Sequence, residues 1–195
     1  MRKTQSLHSV CRWTFHAGKG GFTPGNIRPS WQNNTFSTPD MIRLVKEKIQ
    51  PFIPENIQLG IELHYDYEVN EKNISHVKNA FLETGLHLAM ITPGAHQHFG
   101  YGGIISIDPH ERKLAEEFGK KTVDLAYELK SAWNQDKDKY PSFVLWNGSY
   151  GYDLASIAIQ KMYNHLKESI ADLCRYEEKK GGNLFFAIEP KPNEG

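Results

Sequence analysis

The residues of this sequence that can do chemistry gather in a few short stretches. His64 closes an apolar run, and the segment after it, Tyr65-Asp66-Tyr67-Glu68, carries two acids within reach of the ring. An imidazole beside a carboxylate makes a general base, because the acid fixes the tautomer and tunes the ring's proton affinity. Glu189 and Lys191, in Glu189-Pro190-Lys191-Pro192, put a carboxylate and an ammonium on backbone stiffened by two prolines. The same pair also fits solvated charges where a strand leaves a core. Trp146, just before Asn147-Gly148, offers a flat platform for a sugar ring, or a core indole. His96 and His98 form a His-x-His pair, but without a cysteine or carboxylate close in sequence that pair is weak evidence for zinc. Both read as lining of a polar cleft.

The elements that must hold these groups alternate along the chain. Arg12 to His16 is a first strand candidate, with Trp13 and Phe15 alternating with more polar neighbours. A glycine-rich loop, 17–37, follows; its spacing matches no phosphate-binding fingerprint, and Phe22 is its one candidate functional aromatic. Thr38-Pro39-Asp40 reads as a hydroxyl cap, an early proline and an early acid, opening a helix with Met41, Ile42, Val45 and Ile49 inward. Ile57 to His64 alternates strictly and places Ile57, Leu59, Ile61 and Leu63 on one side. Asn73 to Thr84 is the next helix, stopped by Gly85. Leu86 to Thr92 is a strand, and Asp108-Pro109 caps a helix running to about Lys130 with Leu114, Phe118, Leu125 and Leu129 on one face. Asn134 to Lys139 reads as a solvated turn, and Ser142 to Trp146 as a strand. Leu154 to Lys179 is a long helix that ends at Gly181. Leu184 to Ile188 reads as a buried strand, apolar throughout and bounded by glycines and proline.

Regular strand–helix alternation predicts a parallel sheet with helices outside, either doubly wound or a (β/α)8 barrel. His64, Thr92, Trp146 and Glu189 each fall at or next to the C-terminal end of a different strand. A barrel keeps its site there, so the barrel is preferred. The chain holds about the first five strands and four helices of such a fold. It reads as one incomplete domain over residues 1–195, with no second domain.

The 195 residues are 39% hydrophobic and 24% charged, with 23 basic and 23 acidic side chains. That balance gives no reason to expect a nucleic acid or membrane partner. The two cysteines, Cys11 and Cys174, suit buried thiols of a reducing compartment. The N-terminus lacks the apolar core of a secretory signal, so the cytoplasm is the expected location.

Ala187 to Glu194 (AIEPKPNE), preceded by Val144 to Gly148 (VLWNG), Gly85 to Thr92 (GLHLAMIT) and Arg12 to Phe15 (RWTF), resembles the xylose isomerase family of TIM-barrel aldose–ketose isomerases. The resemblance is collinear over this chain and spans the N-terminal half of the family's barrel. It implies a sugar isomerase that uses two divalent cations (Mg, Mn or Co) to assist a hydride shift between C1 and C2. Glu189 matches the family's first metal-ligating glutamate, and Lys191 a lysine that binds substrate oxygens. His64 matches the histidine associated with ring opening, Trp146 the tryptophan of the substrate wall, and Thr92 a threonine near the site. Phe22 matches an aromatic offered to a neighbouring subunit. The resemblance also implies a dimer or tetramer when the barrel is complete.

There are departures. The family has acids at the positions of Tyr65 and Tyr67, so the carboxylate that orients His64 must come from Asp66 or Glu68. His96 stands where the family has a substrate-facing phenylalanine. An isomerase or epimerase for another sugar is therefore the alternative enzyme, and a non-catalytic sugar- or partner-binding fragment the alternative of another class. Because the family's other metal ligands lie on later strands, the expectation is a truncated, split or partial form that is inactive alone.

Overall fold

The structure is a computed structural model and describes residues 6–12, 15, 37–95, 98–146 and 156–189. Strands β1 (Ser6–Val10), β2 (Ile57–Tyr65), β3 (His87–Pro93), β4 (Ser142–Trp146) and β5 (Phe185–Glu189) lie side by side in chain order. Each is parallel to the next. Helices α1 (Thr38–Leu44), α2 (Ile74–Thr84), α3 (Pro109–Glu128) and α4 (Ser156–Lys180) connect them. A doubly wound sheet reverses its strand order at a switch point, whereas a barrel adds every strand to the outer edge of the one before. The order here never reverses. The chain is an incomplete (β/α) barrel.

Alternation along β2 explains how its faces are divided. Leu59, Ile61, Leu63 and Tyr65 point to the helix layer, where they join a buried core with Met41, Ile42, Val45, Val77 and Phe81. Gln58, Glu62 and His64 take the other side, because successive strand side chains alternate. Between β2 and β3 the pairing jumps from Ile61↔Leu88 to Glu62↔Met90, leaving Ala89 bulged out. The bulge resets the register so that Thr92 stands opposite His64.

Several expectations need correction. The first strand is Ser6–Val10, paired with Ile57–Ile61, and not Arg12–His16. Arg12 instead begins a turn, its carbonyl accepting the Phe15 N–H at 2.9 Å, while Trp13, Thr14 and His16 lie outside the described residues. The cap of α1 is Ser37, one residue earlier than expected. Its hydroxyl accepts from the Asp40 N–H, and the Asp40 carboxylate accepts from the Ser37 N–H, a reciprocal capping box. Leu114 is exposed on α3; the buried face is made of Ala115, Gly119, Thr122, Val123, Leu125 and Ala126. The small residues are needed because α4 packs there: a Cβ on Gly119 would stand 3.0 Å from Leu173. Asn134 is buried rather than solvated, its amide donating to Gln58 at 3.2 Å.

β5 departs furthest. It was expected to be buried, yet Phe185 is 50% and Ile188 51% exposed. The reason is its place in the sheet: among the described residues, β5 has a hydrogen-bonded neighbour, β4, along one side only. Cys11 and Cys174 are half-buried and not in a disulfide. Among the described residues, no helix is long and apolar enough to cross a membrane.

Candidate active site

The strands are parallel, so the side chains at their C-terminal ends share one rim. β2 delivers His64 there, buried with its ring gripped from several directions. Glu68 comes back over the strand end in the turn that follows. Its Oε2 accepts the His64 backbone N–H at 2.7 Å and lies 2.9 Å from His64 Nδ1. The turn is pinned at both ends: Glu68 N donates to the His64 carbonyl, and the Glu68 carbonyl accepts from Thr38 Oγ1 (2.7 Å) and Asn73 Nδ2 (3.0 Å). Glu68 is 1% exposed. A buried carboxylate that accepts two N–H bonds from one residue fixes that residue's ring with little freedom left.

Asp66 takes no part in this grip. Its carboxylate meets His98 Nε2 at 3.0 Å in an exposed pair on the rim. Of the two acids the sequence offered as His64's orienting partner, the geometry therefore joins Glu68 to the ring and sends Asp66 elsewhere. Tyr65 points away from the rim, its ring tilted against Phe118 of α3 (4.6 Å between centroids) and its hydroxyl donating to Glu71. Tyr67 stacks on the His64 ring at 5.5 Å and 28°.

Glu62 is the residue the sequence reading passed over. It sits two positions before His64 on the same strand face, 8% exposed, with Oε1 3.7 Å from His64 Nε2. Burial pushes its carboxyl above the ordinary range, and Glu68 and Glu189 push the same way; His64 and a hydrogen bond from Ser9 oppose them. Tyr67 is likewise pushed up, by burial first and then by Glu68 and Glu62. The signal that finds Glu62 was available: once Ile61 and Leu63 are assigned to the core, period two puts Glu62 beside His64.

Thr92, buried on β3, stands opposite His64 in the register. Trp146 at the end of β4 is paired with Glu189 at the end of β5. Trp146 also borders a narrow apolar pocket with Pro93, Ala95, Gly103, Ile104 and Leu145. Glu189 is exposed on this rim, and its charge is felt by Glu62 across the sheet. Phe22, His96 and Lys191 lie outside the described residues. Oxygen donors such as Glu189 suit hard cations in kind. In number they fall short: among the described residues, no three His, Cys, Asp or Glu side chains converge to hold a metal ion.

No protein-family model matches the chain. Curated relatives do. The xylose isomerase of Thermus caldophilus is 32% identical over 120 residues, which is 60% of this chain and 29% of that protein. The xylose isomerase of Thermus thermophilus is 31% identical over 166 residues, 77% of this chain and 41% of that protein. The chain thus spans less than half the length of these relatives. Among solved structures, a protein from Rhodospirillum rubrum provisionally named xylose isomerase superposes with a TM-score of 0.61 at 16% identity, over 80% of this chain and 50% of its own. The 3-keto-D-glucoside 4-epimerase of E. coli superposes with a TM-score of 0.53 at 16% identity, over 82% of this chain and 54% of its own. At that identity the structural likeness speaks for the fold.

Proposed function

We propose that this chain, which its curated relatives mark as xylose isomerase-like, forms the His64-bearing part of an aldose–ketose isomerase of the xylose-to-xylulose type. The observation that carries this reading is the grip on His64. Glu68 holds Nδ1, and in this reading it is Nε2 that meets the sugar. In the proposed reaction Nε2 gives a proton to the ring oxygen as the C1–O5 bond breaks, the C1 hydroxyl releases its proton to solvent to leave the open-chain carbonyl, and Glu68 steadies the imidazole through the exchange. Trp146 supplies an apolar wall, and Thr92 a hydroxyl beside His64. Lys191, Phe22 and His96 remain substrate-side candidates from the sequence resemblance, and Asp66 acts through its pair with His98.

Two divalent cations (Mg, Mn or Co) belong to the same proposal, with Glu189 the carboxylate this chain offers them. The described residues do not by themselves make that site, and no step is routed through it. A dimer or tetramer of complete barrels in the cytoplasm, acting on a small sugar, is part of the proposal too. So is the need for further strands beside β5, motivated by the uncovered Phe185 and Ile188.

The test is isomerisation of xylose with Mg or Mn by the 195-residue chain, and by a barrel in which the missing βα units are supplied. We expect no turnover from the chain alone, and turnover from the completed barrel that falls at least about 100-fold on His64→Asn. Robust turnover by the chain alone, or by the completed His64→Asn variant, overturns the reading. A second reading, an isomerase or epimerase for another sugar, is favoured by Tyr67, an aromatic ring laid on His64 where the family has an acid. Activity on another sugar with none on xylose selects it.

A further inference from the structure

Loops run over protein surfaces because their backbone groups need water or a fixed partner. The segment joining β3 to α3 departs from this. Gly103, Ile104, Ile105 and Ser106 are buried, although Tyr101 just before them is exposed. Side chains from two helices supply the partners. Glu111 of α3 accepts the backbone N–H groups of Tyr101 (3.1 Å) and Gly103 (2.8 Å). Arg112, beside it, donates to the Ser106 carbonyl at 2.7 Å. From α4, the buried Ser169 hydroxyl sits 2.8 Å from the Ile104 carbonyl and 2.7 Å from the Glu116 carboxylate, its one hydrogen shared between them. Glu111 is also diverted from the usual local use of its type. An acid at the third position of a helix commonly turns back onto the N–H of the cap residue. Here that N–H, on Asp108, goes to the Ser106 hydroxyl at 3.2 Å, and Glu111 reaches out to the loop instead. Gly102 and Gly103 have φ of 104° and 60°, which lets the chain turn sharply enough to bring two N–H groups onto one carboxylate.

What the clamped segment touches gives the clamp a purpose. Gly102, Gly103 and Ile104 share with Trp146 the walls of one narrow apolar pocket. We propose that Glu111 and Ser169 are positioning residues for Trp146: with Arg112 they fix residues 101–106 as a backstop that limits how far the indole can turn. Two of the three backstop residues are glycines, so the limit is set by where the backbone is held and not by side-chain bulk. Loss of a clamp bond lets that backbone move, and the ring then samples more than one setting. A wall that orients a substrate must itself be held to within about 0.5 Å, so the clamp acts on the substrate through the indole. The use of Trp146 as a sugar wall rests on the isomerase reading above, but the hold on the indole is a property of this chain alone.

The experiment therefore reads the indole in the 195-residue chain without sugar or cation. The chain carries 5-fluorotryptophan at its four tryptophans, and the fluorine signal of Trp146 is identified by its loss in Trp146→Phe. Glu111→Ala is expected to shift or broaden that signal by more than its own linewidth. Glu111→Gln keeps an acceptor oxygen and is expected to return most of the change. Ser169→Ala is expected to move the signal in the same way to a smaller extent, and it carries the test if Glu111→Ala does not fold. Trp133 is the internal reference: its Nε1 donates to the Ala126 carbonyl at 3.0 Å, roughly 20 Å further along α3 than Glu111, and its signal is expected to stay in place. A Trp146 signal that neither Glu111→Ala nor Ser169→Ala alters overturns the proposal. So does a Trp133 signal that moves as far as that of Trp146, which is general loosening, or a Glu111→Gln signal displaced as far as that of Glu111→Ala. Turnover plays no part, so a completed barrel without xylose activity would leave this result standing, and an unmoved Trp146 signal would leave the isomerase reading standing.

Discussion

β2 and β5 end on the same rim, each with a carboxylate two residues or fewer from its last position, yet their surroundings are opposite. β2 lies between β1 and β3, its apolar side chains buried under α1 and α2 and its last histidine wrapped by Glu62, Glu68 and Tyr67. Among the described residues β5 is paired along one side, and Phe185 and Ile188 are half in water. The surroundings of His64 are thus organised within the described residues, by hydrogen bonds of its own turn. The environment of Glu189 is not. Charge chemistry in a site needs a low-dielectric, ordered setting, and this chain provides it at one strand end and leaves it open at the other.

The contrast can be broken or sharpened by substitution. The largest effect is expected at the buried strand: Ile61→Ala should cost about 2–5 kcal/mol in urea unfolding, because the vacated space lies between β2 and the helix layer. A loss under about 1 kcal/mol would mean β2 is no better packed than β5. Next comes Glu68→Ala, which strands the His64 backbone N–H and ring hydrogen in a buried place and should cost about 1–3 kcal/mol. The same unfolding curves measure it, and the His64 ring resonances should broaden as the ring is freed.

A smaller effect is expected from pH. The folded carboxyl of Glu62 is raised above its unfolded value, so its contribution is fully present below the unfolded range and is lost as pH rises through the folded value. Glu62→Gln should therefore unfold at higher urea than the parent at neutral pH, with the difference shrinking as the solution is acidified below the normal carboxylate range. A difference that grows on acidification contradicts the assigned direction. Least affected should be stability in Ile188→Ser, within about 0.5 kcal/mol. That substitution should instead reduce self-association in light scattering, since an exposed apolar edge strand invites pairing.

The alternation of apolar and polar residues made β2 legible and a short apolar run made β4 legible, and the regular strand–helix order then made the barrel legible. β1 was misread because Ser6–Val10 carries little apolar signal; its place is set by backbone pairing with Ile57–Ile61, which no side-chain pattern reports. Ser37 was missed as the cap of α1 because Thr38 is equally competent in type, and only the reciprocal bonds with Asp40 choose between them. At the site, His64 stood out by its strand-end position. The choice between Asp66 and Glu68 was not readable, since it depends on how the turn folds back and is pinned by Thr38 and Asn73, far apart in sequence. The exposure of β5 was illegible for a different reason. Five apolar residues say that a strand wants a cover, and they cannot say whether one is present.

The unreversed strand order has a consequence for how such a molecule comes into being. Each new strand finds its docking edge already finished by the strand synthesised just before it, so the sheet can lengthen in step with the ribosome and never needs to hold a gap open for a later arrival. At every stage the most recent strand is also the next template. In a nascent chain of this design, β5 docks last of the five described strands, on the edge that β4 has just completed.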